Sequence, residues 1–149
     1  MKKLLLPVCL LLFAAGSFAT EVKEIKSVVL KVFTNTYPGA RNIAWSELKS
    51  GYLVYFVCGD ASYRITYDLD GNVVVAYKYY GEENLSPVLI NKVKKSYPEF
   101  KIHSVIERST DNDVEYHIIL QSTKKLVTLK SDATGNFEVE SKYNTQSEQ

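Results

Sequence analysis

The 149-residue chain carries 18 lysines and arginines against 17 aspartates and glutamates, with 11 tyrosines and two cysteines. Its formal charge of +1 becomes −1 once Lys2 and Lys3 leave with the leader described below, so nothing electrostatic draws it to nucleic acid or an anionic membrane. One cysteine lies in that leader, which excludes an intramolecular disulfide in the remainder.

Residues 1–19 read as a secretory signal. Lys2 and Lys3 form a basic start, Leu4 to Ala15 an apolar core, and Ser17-Phe18-Ala19 a small-x-small cleavage site. The apolar run is too short to span a bilayer, and Pro7 interrupts it. A lipid anchor at Cys9 is disfavoured, because the cysteine comes too early and Val8 precedes it. The expectation is cleavage near Ala19, a periplasmic or secreted location, and a mature chain without a membrane span.

The rest is organised as a repeat. Tyr37-Pro38 returns as Tyr97-Pro98, 60 residues on, and Gly71-Asn72 returns as Gly135-Asn136, 64 residues on. Such a period marks a supersecondary unit that buries its apolar face against its twin. We expect a first unit over 20–81, a second over 82–143 and a flexible tail over 144–149, the two units forming one domain.

In the first unit, Val22, Ile25, Val28, Val29, Val32, Phe33 and Thr36 recur at the steps of one helix face, and Pro38 stops the helix. Strands are expected over 42–48 (with Trp45 buried under the helix), 52–58, 62–67 and 72–80. Gly59-Asp60 joins the second to the third. Asp68-x-Asp70-Gly71-Asn72 superficially suggests a calcium loop but lacks the closing glutamate and further oxygen ligands, so it reads as a hairpin turn. Cys58 ends an apolar strand and reads as a small core residue.

The second unit opens at Ser86-Pro87, a capping serine followed by proline at the first helical position. Leu89, Ile90, Val93 and Tyr97 form its apolar stripe, with Lys92, Lys94 and Lys95 on the wet side. Strands follow over 101–108, 114–121, 124–131 and 136–143. The expected fold is α+β: two tandem α-β-β-β-β units in one antiparallel sheet of about eight strands, with both helices on one face.

Alternation along the strands assigns the faces. Tyr52, Val54, Phe56 and Cys58, matched by Val114, Tyr116, Ile118 and Leu120, should meet the helices, together with Ile65, Tyr67 and Val75. The opposite face offers Leu53, Tyr55, Val57, Arg64, Thr66, Val74, Ala76, Lys78 and Tyr80 in the first unit. In the second it offers Glu115, His117, Ile119, Gln121, Glu138, Glu140 and Lys142, an ordinary wet surface. The aromatic and apolar half has the composition of a contact surface. Leu53, Tyr55, Arg64, Val74, Lys78 and Tyr80 are therefore the candidate partner-binding residues. Tyrosine as a simple strand former is the plainer alternative.

Taken together, the helix-Tyr37-Pro38 segment, Asn42-Ile-Ala-Trp45, Tyr67-Asp-x-Asp-Gly71, Ser86-Pro87 and Tyr97-Pro98 resemble the PepSY-like family of secreted bacterial proteins, described as β-lactamase-inhibitor-like. The resemblance spans nearly all of 20–149. It implies tandem α-β4 units in one sheet, export to the periplasm, and no enzymatic activity. β-Lactamase inhibitory protein shares that architecture and binds through its sheet and a projecting loop. Nothing here matches that loop in sequence, so inhibition of β-lactamase is not carried over.

An enzyme is not expected. His103 and His117 lack partners at metal-ligand spacing, no glycine-rich phosphate loop follows a strand, and Gly-x-Ser-x-Gly is absent. No cofactor is implied. The leading expectation is a non-catalytic binding protein whose partner is another protein or a peptide, for instance as an inhibitor or modulator of an envelope or secreted enzyme. The alternative is a carrier of a small molecule or peptide on the open sheet face, and a purely structural protein comes third.

Overall fold

The structure is a computed structural model that describes residues 24–145. The expected signal segment, its cleavage site and Val22 lie outside them. Helix α1 (Ser27–Thr36) and helix α2 (Pro87–Ser96) end alike. Tyr37 (φ −127°, ψ 64°) and Tyr97 (φ −131°, ψ 61°) leave the helical region, as the prolines that follow them require. In each, the backbone N–H still closes the last turn, onto Phe33 O and Val93 O respectively. Pro87 occupies the first turn of α2, but the Ser86 side chain makes no capping hydrogen bond.

Eight strands follow: β1 (Arg41–Leu48), β2 (Gly51–Cys58), β3 (Ala61–Asp68) and β4 (Val73–Tyr80), then β5 (Lys101–Ser109), β6 (Val114–Gln121), β7 (Lys125–Asp132) and β8 (Phe137–Asn144). They form one antiparallel sheet in the order β1-β2-β3-β4-β5-β6-β7-β8. The pairing of Ala76–Tyr80 on β4 with Val105–Ser109 on β5 makes the two units continuous. A short 3-10 turn over Glu82–Asn84, which the residue pattern did not announce, leads into α2.

Each helix seals its own half of one sheet face. Val29 and Phe33 pack on Tyr52, Val54, Phe56, Ile65 and Tyr67; Leu89 and Val93 pack on Val105, Ile118, Leu120, Val127 and Leu129. Tyr63 packs against both cores and joins them. Trp45 sits under α1, with its ring edge-on to Phe33 at 5.2 Å, yet on the outermost strand it is half-buried instead of buried. Cys58 is also on the helix side, half-buried at the margin of the first core.

The repeated Gly-Asn turns dock beneath the helices. Gly71 (φ +90°) and Gly135 (φ +83°) occupy the left-handed region, where glycine alone is unstrained. A Cβ on Gly71 would lie 3.3 Å from Val32 Cγ2, and one on Gly135 would lie 2.8 Å from Lys92 Cδ and 3.2 Å from Leu89 Cδ2. Asp68 and Asp132 start these turns. Asp68 Oδ1 accepts from the Asp70 and Asn72 N–H groups, and Asp132 Oδ1 from those of Thr134 and Asn136. The carboxylate thus builds the hairpin from inside, and the turn reading of this motif stands.

A β-bulge overturns part of the face assignment. Tyr67 pairs with Val73 but Thr66 pairs with Val75, which leaves Val74 as the extra residue. Beyond it the alternation of β4 is inverted. Val75, Tyr77 and Tyr79 lie on the helix-free face, while Ala76, Lys78 and Tyr80 lie on the helix side. On β8 the extra residue is Glu140, between Val139 opposite Leu129 and Ser141 opposite Thr128, so Lys142 also falls on the helix side. Bulges and charges at Arg41, Glu47, Glu138 and Lys142 on the two outer strands blunt the open edges against further pairing.

Candidate functional site

The helix-free face is built in rows of residues that sit directly opposite one another across successive strands. The central row runs Tyr55, Arg64, Tyr77, Arg108, Glu115, Asp132 from β2 to β7. Beside it runs Val57, Ser62, Tyr79, Ile106, His117, Lys130, Glu138. The central row is aromatic and basic over the first unit and β5, then acidic over the second.

Arg64 is sandwiched. Its guanidinium carbon lies 5.8 Å from the Tyr55 ring centroid and 5.5 Å from that of Tyr77, on the flanking strands. Both distances are within the range of cation–π attraction. The rings hold the guanidinium upright on the sheet, and Tyr55 itself is 44 % exposed.

Over the second unit the charges satisfy one another. Glu115 Oε2 accepts from Lys130 Nζ at 2.8 Å, and Glu115 Oε1 lies 2.8 Å from His117 Nε2. His117 Nδ1 lies 2.8 Å from Glu140 Oε2. Lys130, with a smaller contribution from His117, holds the Glu115 carboxyl below its ordinary range against the opposing effect of burial, and Glu115 in turn raises Lys130. Glu140, at the β8 bulge, reaches His117 from across β7.

Of the six residues singled out from sequence, Leu53, Tyr55 and Arg64 lie on the helix-free face, Leu53 half-buried opposite Thr66. Val74 is the exposed bulge residue, at 52 %. Lys78 and Tyr80 are not on that face. Tyr80 is 6 % exposed within the second core, its hydroxyl donating to Glu107 Oε2 at 2.8 Å, and Lys78 Nζ lies 4.8 Å from its ring centroid. Burial first, then the Glu107 bond, raises the Tyr80 phenol pKa. Sequence reasoning missed Tyr77, Tyr79 and Arg108, which complete the patch. The signal that could have found them was the bulge, and β4 reads Val-Val-Val-Ala-Tyr-Lys-Tyr-Tyr, too uniformly apolar to show where its parity changes.

Among the described residues no cluster of histidine, cysteine, aspartate or glutamate is arranged to hold a metal ion. A shallow hollow of about 320 Å³ lies at one end of β6, β7 and β8, between Val114, Phe137 and the Asp132 turn. Glu115 and Asp132, at the acidic end of the central row, line it, but Tyr55, Arg64, Tyr77 and Arg108 do not. No helix among the described residues is long and apolar enough to cross a membrane.

The fold and its face define an α+β protein with eight meandering strands, helices on one side and a bare sheet on the other. Solved structures of that class include a BLIP-like protein from Bacteroides fragilis, with a TM-score of 0.61 and 16 % identity over 87 % of this chain and 93 % of that one. A protein from Bacteroides eggerthii, provisionally assigned to the periplasm, gives a TM-score of 0.59 at 17 % identity over 82 % and 90 %. A DUF2874 family protein from Bacteroides ovatus gives 0.59 at 16 % over 83 % and 89 %. At these identities the likeness is one of fold. No protein-family model matches the sequence, and no curated protein does.

Proposed function

We propose that this chain is an exported, non-catalytic binding protein that docks another protein on its helix-free sheet face. The observation that carries the reading is the Tyr55-Arg64-Tyr77-Arg108 row on a face that neither helix covers. Tyrosine and arginine dominate interface energetics because they bury large area at small entropic cost. Leu53 and Val74 lie around this row; Lys78 and Tyr80 act from behind the sheet, as support.

Support for the compartment comes from the leader-like residues 1–19 and from the description of the eggerthii neighbour. The fragilis neighbour's BLIP-like description favours protein recognition over catalysis, and modulation of an envelope or secreted enzyme is the activity that follows. The PepSY-like affiliation rests on the sequence motifs alone.

Site-directed photo-crosslinking tests the reading. A photoreactive residue at Ser62, exposed on the helix-free face, should capture a discrete protein from envelope extract, whereas one at Lys95 on α2 should not. Capture from Lys95 alone would overturn it. A small molecule released from the purified protein by denaturation, with no capture at Ser62, would favour the carrier alternative.

A further inference from the structure

Among the described residues, the two arginines of the central row have no acidic partner of their own. Arg64 is held between two tyrosine rings, and among the described residues neither Arg64 nor Arg108 forms an ion pair. The carboxylate opposite Arg108 is Glu115, whose two oxygens are already engaged by His117 and Lys130. A guanidinium stacked on aromatic rings keeps its N–H edge free, and that edge matches a carboxylate with two parallel hydrogen bonds. Arg64 and Arg108 stand two strand spacings apart, roughly 10 Å.

The rest of the face limits what can sit there. Glu115, Glu138 and Glu140 would repel a uniformly anionic surface such as a nucleic acid or an anionic bilayer laid across the sheet. The matching surface is local: acidic over the first unit and β5, neutral or basic over the second. Such bipolar complementarity fixes the orientation of a partner as well as attracting it.

Resting on the binding reading above, we infer that the occupant is an acidic protein segment presenting two carboxylates about 10 Å apart to Arg64 and Arg108, with Tyr55 and Tyr77 packed beside them. The tyrosines supply buried area and hold Arg64 in place. The arginines choose the partner.

The experiment uses residues 20–149 with two synthetic peptides of identical length, one of alternating glutamate and leucine and one with every glutamate replaced by glutamine. Binding is followed by the arginine Nε–Hε and backbone NMR resonances. The glutamate peptide should shift Arg64, Arg108 and Tyr77. R64Q/R108Q should weaken it by about tenfold or more, the loss of at least one charge-assisted pair, with an unchanged melting temperature. The glutamine peptide should bind the wild type no better than it binds the double variant. Equal binding of both peptides on this face would overturn the carboxylate inference while leaving a protein-binding face in place. Shifts confined to the helix side, or no binding of the glutamate peptide, would also overturn it. Heparin and phosphatidylglycerol vesicles serve as the polyanion arms, and binding of either across this face with the same arginine dependence would replace the protein segment with a polyanion.

Discussion

The Tyr80 hydroxyl donates a 2.8 Å hydrogen bond to Glu107 Oε2, tying the end of the first unit to the opening strand of the second beneath the helix-covered face. A bond from a buried phenol to a carboxylate stabilises by about 1–2 kcal/mol net. Tyr80→Phe should lower the denaturant midpoint accordingly, with an unchanged slope, and leave partner affinity intact. Weaker binding without loss of stability would return Tyr80 to the contact surface.

Alkaline titration should be spread over a wide range. Burial, with a smaller contribution from Tyr37, pushes the Tyr67 phenol up to about 12, and Tyr80 is raised as well. A phenol whose folded pKa exceeds its unfolded value contributes stability that is complete below about pH 10 and is lost as pH rises through the folded value. Phenolate absorbance should therefore rise in two phases, and Tyr67→Phe should remove amplitude from the upper one. A single phase near pH 10 in folded protein would contradict the burial of Tyr67.

The acid limb has the opposite sign. Hydrogen bonds from Thr134 and then Asn136 hold the Asp132 carboxyl down at about 2. Its contribution is present above the unfolded value near 4 and disappears as pH falls through about 2. Asp132→Ala should lower the melting temperature at pH 7 and make little difference at pH 1.5. Equal effects at both pH values would mean that the turn does not depend on the ionised side chain.

Three glycines with positive φ separate strain from crowding. Nothing lies within 4 Å of a Cβ placed on Gly59 (φ +60°), so Gly59→Ala should cost only the left-handed penalty of about 1–2 kcal/mol. Gly71→Ala and Gly135→Ala add the collision with α1 or α2 and should cost more. Chemical denaturation of the three variants decides the order. If Gly59→Ala were the most damaging, the docking of the Gly-Asn turns under the helices would be wrong.

On the functional side, Tyr55→Ala should leave the melting temperature nearly unchanged while weakening partner binding by more than about 1 kcal/mol. Lys142→Ala, on the far strand and the other side of the sheet, should do neither. Calorimetry with the captured partner checks both. Equal losses from the two would remove the reason for placing the site on the first unit.

Much of this architecture is legible in the residues themselves. Tyr-Pro and Gly-Asn recur because the first ends a helix and the second turns a hairpin beneath it, once in each unit. β2 is apolar throughout, but its repeat counterpart β6 alternates over Val114-Glu115-Tyr116-His117, and because the β2–β3 register is unbroken that match puts Tyr55 on the correct face. β4 does not alternate in hydrophobicity, and a bulge is a property of two paired strands that neither strand's residues announce alone. Alternation therefore puts Lys78 and Tyr80 on the wrong side and hides Tyr77. Arg108 escapes for a related reason: its neighbours come from the β4–β5 junction, whose register no turn motif specifies. The Glu115-His117-Glu140 cluster, by contrast, joins three residues that alternation alone puts on the helix-free face.

The strand order carries a consequence for how the chain acquires its structure. Every strand pairs with the one just made, so within each unit the sheet can grow by hairpins that close in microseconds, and only the β4–β5 pair must wait for an intervening helix. Because each helix precedes the four strands it covers, its apolar face must wait for only its own unit. A chain emerging N-terminus first can complete α1 through β4 before β5 exists. The growing edge at β4 is then capped by the sister unit's first strand. Swapping that strand between two copies is the misassembly this topology most invites, and the Tyr80–Glu107 bond lies across the seam where it would occur.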